Sequence, residues 1–190
     1  GGSFGPPVAL RYSLQEGGLS GERVRGFAET RYWMTELNQR LIRVLLDRGV
    51  PAAAVQTSAV AVAERGALLE LDTEPVKRFL DMGLVPVLFG DVVPDTAQGI
   101  AILSGDAISS YLACKLRADA LIFVMRAGGI FTRAPGKPGA TLLRELKSLN
   151  DVEAGEAKGV DVTGGIATKL RYAFEAARCG SKVAIGGVDY

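Results

Sequence analysis

Two uninterrupted apolar runs, Leu84–Phe89 and Ala120–Met125, constrain this chain more than any other feature of it. A strand with one face in water alternates apolar and polar residues, whereas an unbroken run is expected of a strand covered on both faces. Such strands call for helices on either side, and the helical segments are there. Glu22–Arg48 places Met34, Leu37, Leu41, Ile42 and Leu45 on one face, and it stops at Gly49 with Pro51 just beyond. Thr73-Glu74-Pro75 opens a second helix, with proline early, and Gly83 ends it.

The same alternation runs through the rest of the sequence. Ala52–Gln56 and Ala59–Ala63 read as short strands, the second forming a hairpin with Ala67–Leu71 across Glu64-Arg65-Gly66. Ile100–Leu103 reads as a strand and Asp106–Leu116 as a helix. Ile166–Arg178 is a helix closed by Gly180, and Lys182–Ile185 is the last strand. Thr132–Gly139, with two prolines and two glycines, is a surface loop. Strands alternating with helices require crossover connections. The expectation is an α/β fold, a three-layer αβα sandwich on a mainly parallel central sheet. At 190 residues and 48% hydrophobic, the chain has enough apolar surface for one core, so a single domain over 1–190 is expected. Gly1-Gly2-Ser3-Phe4-Gly5 has no strand before it, although such loops ordinarily follow one. The sequence is therefore expected to lack its first β-α segment.

Charge excludes several functions. Lys and Arg number 22 against 21 Asp and Glu, so nothing in the overall charge favours nucleic acid, and an anionic ligand must be met by local geometry. No apolar run approaches the roughly 18 residues of a membrane span, and no signal peptide is visible. Cys114 and Cys179 lie on separate helices far apart in sequence, which argues against a disulfide. With no histidine in the chain, a metal site is not expected either. These features point to a cytoplasmic protein.

Chemistry is sought beyond the carboxyl ends of the strands, where open α/β sheets bind their ligands. Glycine-containing segments stand at Gly1–Gly5, Gly90-Asp91, Ser104-Gly105-Asp106, Arg126-Ala127-Gly128-Gly129 and Asp161-Val162-Thr163-Gly164-Gly165. Glycine at a strand-to-helix turn lets backbone N–H groups approach phosphate oxygens. Each of these could be an ordinary turn taken singly; five at one edge suggest an anion site. Asp106 at a helix start is explained by capping alone, and Lys169, one turn into its helix, by exposure to solvent. Phosphoryl transfer, however, wants a lysine on the moving group and an aspartate to orient it. Asp161 is either a turn residue or a ligand group.

Taken together and in order, Gly1–Ala9 (GGSFGPPVA), Gly83–Val93 (GLVPVLFGDVV), Ile102–Asp106 (ILSGD) and Asp161–Gly165 with Lys169 resemble the amino acid kinase family, and within it the isopentenyl phosphate kinases. Gly26-Phe27, Thr30 and Leu37-Asn38 fit the same pattern, and fosfomycin-resistance kinases are near neighbours. The resemblance implies an ATP-dependent kinase, with Mg2+, that phosphorylates a small phosphorylated acceptor, most simply isopentenyl phosphate. Its alternatives are a kinase for another phosphonate or phosphomonoester, or a non-catalytic ligand-binding homologue. It implies a homodimer with no nucleic-acid or membrane partner. Lys169 and Asp106 would be catalytic: Lys169 neutralises the γ-phosphate and Asp106 organises the lysines. Gly2, Met125, Arg126, Gly165 and Lys169 would meet ATP, while Gly1, Pro6 and Gly105 would meet the acceptor. Two positions depart from the family pattern. Pro6 stands where the family has a histidine on the acceptor phosphate, and Met125-Arg126-Ala127-Gly128-Gly129 replaces Thr-Asp-Val-Asp-Gly on the nucleotide side.

Overall fold

The longest helix, α2 (Gly21–Asp47), starts where Ser20 turns its hydroxyl back to accept from the Arg23 N–H at 3.3 Å. Gly26, Thr30, Met34, Asn38 and Ile42 are its buried residues, each one turn from the next. Of the five residues expected on the buried face, Met34 and Ile42 are there, but Leu41 is 48% exposed. The reason is a helix the sequence did not announce, α1 (Gly5–Arg11), which packs against α2 through small residues. A Cβ on Gly5 would lie 2.6 Å from Met34 Sδ, and one on Gly26 would lie 2.4 Å from Tyr12 Cβ. Pro6 and Pro7 fall in the first turn of α1, where a missing N–H costs least. At its other end Tyr12 donates to Glu29 at 2.8 Å and Arg11 pairs with the same carboxylate at 2.9 Å.

The computed structural model describes residues 3–133, 136–148 and 165–187. The chain divides into two compact units, Gly1–Ile108 and Ser109–Tyr190. In the first, β1 (Ala52–Ala54) pairs in parallel with β4 (Val85–Val87). A four-stranded sheet has the order β3 (Ala67–Leu71), β2 (Ala61–Glu64), β5 (Asp91–Asp95), β6 (Gly99–Leu103). Its pairings are antiparallel, parallel and antiparallel. The short helices α3 (Thr57–Val60) and α4 (Glu74–Asp81) complete the unit. Leu14, in a 3-10 turn after α1, is fully buried with Ala9, Val92 and Ile100.

Among the described residues three strand pairings are parallel and two antiparallel, so parallel pairing predominates within mixed sheets. The mixing comes partly from a hairpin between β5 and β6 that hydropathy alone does not mark. Asp95 closes it by accepting from the Ala97 and Gln98 N–H groups, both at 2.9 Å. The same carboxylate takes the Arg65 and Gly66 N–H groups of the β2–β3 turn, at 3.2 and 2.8 Å. Burial pushes this carboxyl up, but the four backbone donors outweigh it and hold Asp95 below the usual range. The apolar run Leu84–Phe89 yields only the three-residue β4, with Val85 43% exposed, because β4 has a single partner and contains Pro86.

In the second unit β7 (Ala120–Val124) and β8 (Lys182–Gly186) pair in parallel from Ala120 opposite Lys182 to Val124 opposite Gly186. The connection between them includes α6 (Gly165–Arg178). Phe123 is buried in β7, but Ile122 and Val124 are 67% and 59% exposed, so this strand is not covered on both faces as expected. Within the expected loop Thr132–Gly139, Thr132 donates its backbone N–H to Thr141 at 2.9 Å, and a bridge joins Phe131 to Leu142.

α5 (Gly105–Leu116) and α6 run side by side in one direction: Ser110 donates to the Tyr172 carbonyl at 2.9 Å, and Ser181 to that of Ala118 at 2.7 Å. This alignment overturns the expectation about the cysteines. Cys114 and Cys179 form a disulfide with their Cα atoms 5.2 Å apart. Their separation of 65 residues gave no hint that parallel helices would set them together.

Candidate functional site

In the first unit, β6 delivers the chain to α5 through Ser104. The Ser104 hydroxyl accepts from the Ala107 N–H at 3.1 Å, so Ser104, not Asp106, is the cap. Asp106 does not occupy that cap position. It is the second residue of α5, half-buried, at the helix end where the macrodipole favours a carboxylate. Gly105 opens the helix and is exposed.

Against this turn lies Gly90. A Cβ there would stand 3.0 Å from the Gly105 nitrogen and 3.0 Å from the Leu103 oxygen, both backbone atoms. Asp91 follows, fully buried at the head of β5 and directly opposite Leu103. Its carboxylate accepts from Gln56 Nε2 at 2.7 Å, from the Ser58 N–H at 3.3 Å and from the Val92 N–H at 2.9 Å. Burial raises its pKa to about 6, against the pull of these hydrogen bonds. The network spreads to α2, since Thr35 meets Gln56 at 3.2 Å and Arg31 meets Ser58 at 2.9 Å. Thr57 donates to the Phe89 carbonyl at 2.6 Å, which fastens the other side of the Gly90 turn. Sequence reasoning counted Gly90-Asp91 among the glycine segments of a candidate anion edge and within a family motif, without giving Asp91 itself a role. A carboxylate set between Phe89 and Val92-Val93 was the available signal, because a buried acid must be paired with donors.

In the second unit, the α6 C-terminus meets the start of β7 and β8, where Lys182 N–H bonds the Asp119 carbonyl at 2.9 Å. The α6 N-terminus therefore lies toward their carboxyl ends. Gly165 opens α6 at φ +67°, and half-buried Lys169 places Nζ 4.9 Å from the centre of the Phe123 ring. Met125, half-buried just past β7, donates its N–H to the Gly186 carbonyl at 2.8 Å, and Arg126 is exposed. Gly165, Lys169, Met125 and Arg126 thus share one end of this unit. Gly105 and Asp106 share a turn of the other.

Pro6 is half-buried in the first turn of α1. Gly1, Gly2 and Asp161–Gly164 lie outside the described residues. Thr30 Oγ1 and Asn38 Oδ1, on the buried face of α2, have no hydrogen-bond partner among the described residues. Also among those residues, no three acidic, cysteine or histidine side chains gather as a metal cage.

Glycine turns open α5 and α6 of this α/β protein, with an acid in the first turn of one and a lysine early in the other. The family model for the amino acid kinase family matches residues 1–187. An isopentenyl phosphate kinase of Methanothermobacter thermautotrophicus is 35% identical over 178 residues, covering 90% of this chain and 67% of that protein. One of Arabidopsis thaliana is 33% identical over 203 residues, covering 97% of this chain and 61% of that protein. A solved structure titled "X-ray structures of isopentenyl phosphate kinase" superposes with a TM-score of 0.84 at 30% identity, covering 98% of this chain and 72% of that one. The chain belongs to the amino acid kinase family. It spans about two thirds of the length of these two curated relatives.

Proposed function

We propose that this protein transfers the γ-phosphoryl group of ATP to a small phosphorylated acceptor, with isopentenyl phosphate the acceptor to test first. The observation that carries the reading is Lys169, set in the second turn of α6 beyond the carboxyl ends of β7 and β8, in a chain whose relatives are isopentenyl phosphate kinases. Phosphoryl transfer demands little covalent chemistry of the protein; it needs positioning and neutralised charge. Lys169 supplies a cation for the moving group, and the N–H groups opening α6 at Gly165 supply donors. Asp106, in the first turn of α5, would orient cations. Gly105 offers its backbone to the acceptor phosphate, and Gly1 and Gly2 offer theirs to the acceptor and the nucleotide. Met125 and Arg126 lie on the nucleotide side. Mg2+, with no protein cage among the described residues, would enter on the ATP phosphates.

In this reading the two units act as one amino-acid-kinase-like domain, assembled as a cytoplasmic homodimer. Tyr32, Trp33, Leu41 and Val44, all exposed on α2, support association. No helix among the described residues is long and apolar enough to cross a membrane.

The direct test is ATP turnover by the purified chain against isopentenyl phosphate and a panel of other phosphomonoesters and phosphonates. Lys169→Ala should lower kcat roughly a hundredfold or more while leaving the circular dichroism spectrum unchanged. Turnover that survives the substitution would remove Lys169 from the chemistry. A different best acceptor would replace isopentenyl phosphate, and that outcome has a physical motive in Pro6, which brings neither an N–H nor a polar side chain to the first turn of α1.

A further inference from the structure

We propose that Cys114–Cys179 is a reversible thiol–disulfide exchange site that takes a dithiol reductant, and that it tethers the C-terminal end of the helix bearing Lys169. Three observations carry this, and none depends on the kinase reading. The first is access: Cys179 is exposed and Cys114 half-buried, so an incoming thiolate reaches the Cys179 sulfur first. The second is that reduction leaves α6 docked. Leu170, Ala173 and Ala176 are buried under it, and the Ser110–Tyr172 and Ser181–Ala118 hydrogen bonds flank the disulfide on both sides. The third is a place for the released thiol. Cys114 Sγ lies 3.8 Å from the Glu175 carbonyl oxygen, so the S–H formed on reduction has an acceptor without moving.

The exchange balances simply. A thiolate of the reductant attacks Cys179 Sγ and forms a mixed disulfide, and the Cys114–Cys179 bond breaks with Cys114 leaving as thiolate. The reductant's second thiol loses its proton and attacks the mixed disulfide, closing its own disulfide and releasing Cys179. Two electrons pass from the dithiol to the protein, and two protons end on Cys114 and Cys179. Oxidised glutathione runs the reaction backwards. Opening the bond removes the covalent tether at the last turn of α6, while the Lys169 end keeps its contact with Phe123.

The test uses the full chain, first equilibrated with oxidised glutathione and then divided. One half is incubated folded with dithiothreitol. Both halves are desalted, denatured in a maleimide reagent and weighed by mass spectrometry. The expected result is no labelled thiol in the oxidised half and two in the reduced half, with the melting temperature lower after reduction by on the order of 5–15 °C. Cys179→Ser should melt near the reduced value and ignore dithiothreitol. Two labelled thiols in the oxidised half would overturn the pairing. A folded protein that gives up no thiols to dithiothreitol, or that melts at one temperature in both states, would overturn the exchange site or the tether.

Discussion

Adding one methyl group at Gly90 tests how the Ser104-Gly105-Asp106 turn is held. The Gly90 backbone lies outside the left-handed region, so alanine is tolerated conformationally and the effect is purely one of space. The new Cβ would meet the Gly105 nitrogen and the Leu103 oxygen, each at 3.0 Å. Comfortable separations begin near 3.5 Å, so about 0.5 Å must be found. Neither neighbour is the free end of a side chain. Leu103 is fixed in β6 opposite Asp91, which is itself fixed by Gln56 and Ser58, and Phe89 is fixed by Thr57. The movement therefore falls on the Ser104-Gly105-Asp106 turn.

Overpacking of this kind costs about 1–3 kcal/mol, which for a chain of this size lowers the melting temperature by on the order of 2–12 °C. A displacement of half an ångström at a group that positions a substrate should lower kcat/KM by roughly tenfold. Three measurements are needed: a thermal melt, the amide shifts of Gly105 to Ala107, and kcat/KM on the best acceptor. Gly21→Ala is the control, since a Cβ there has no neighbour within 4 Å. If Gly90→Ala matches the control in all three, the two turns are not in contact and the reasoning fails. A lower melt with shifted amides but unchanged kcat/KM would confirm the contact and remove the turn from the site.

Asp95→Ala strands four backbone N–H groups at two hairpin turns and should cost on the order of 2–4 kcal/mol by urea unfolding; a loss within 0.5 of zero would mean that water replaces the carboxylate, on the usual scale of surface changes. For Asp91 the folded value of about 6 lies above the ordinary 3.8, so the native state keeps a proton that the unfolded chain has lost. Its contribution therefore falls as pH rises from about 4 to 6, by at most ~3 kcal/mol, and the difference in urea midpoint between the protein and Asp91→Asn should change across that window. Parallel pH curves for the two would refute the assignment. Pro6→His restores a donor at the first turn of α1 and should raise kcat/KM for isopentenyl phosphate by roughly one to two decades with little change in the affinity for ATP. A fall instead would mean that the pocket is shaped around proline for another molecule.

The helices were legible because their signals are local. Gly49, Gly83 and Gly180 mark ends within a residue or two of where the structure has them, and apolar spacing fills the intervals. What escaped were features set by neighbours. α1 is hidden because a glycine-proline stretch reads as a loop until Met34 gives it a surface to pack on. The β5–β6 hairpin is hidden because Asp91, Asp95 and Pro94 break its apolar pattern, yet the two acids are the residues that pin it. The exposed faces of β4 and β7 show the limit of hydropathy in the other direction. Apolar composition records that a surface is to be covered, without saying by what.

The site divides along the same line. Asp106, Gly105, Gly165 and Lys169 were readable because glycine and charge at a helix start carry a meaning that does not depend on the rest of the fold. Sequence could not choose between a capping and a chemical role for Asp106, since both put an acid in the first turn. In the structure Ser104 bonds the Ala107 N–H, so a side-chain cap is already present at the turn where Asp106 is the second helical residue. Asp91 makes the converse case. Its pairing with Gln56 and Ser58 draws donors from beyond β5 and takes an ionisable group out of water, which holds the Gly90 turn. Two aspartates near the same glycine turns are thus held differently, one buried among donors and the other half-buried at a helix N-terminus.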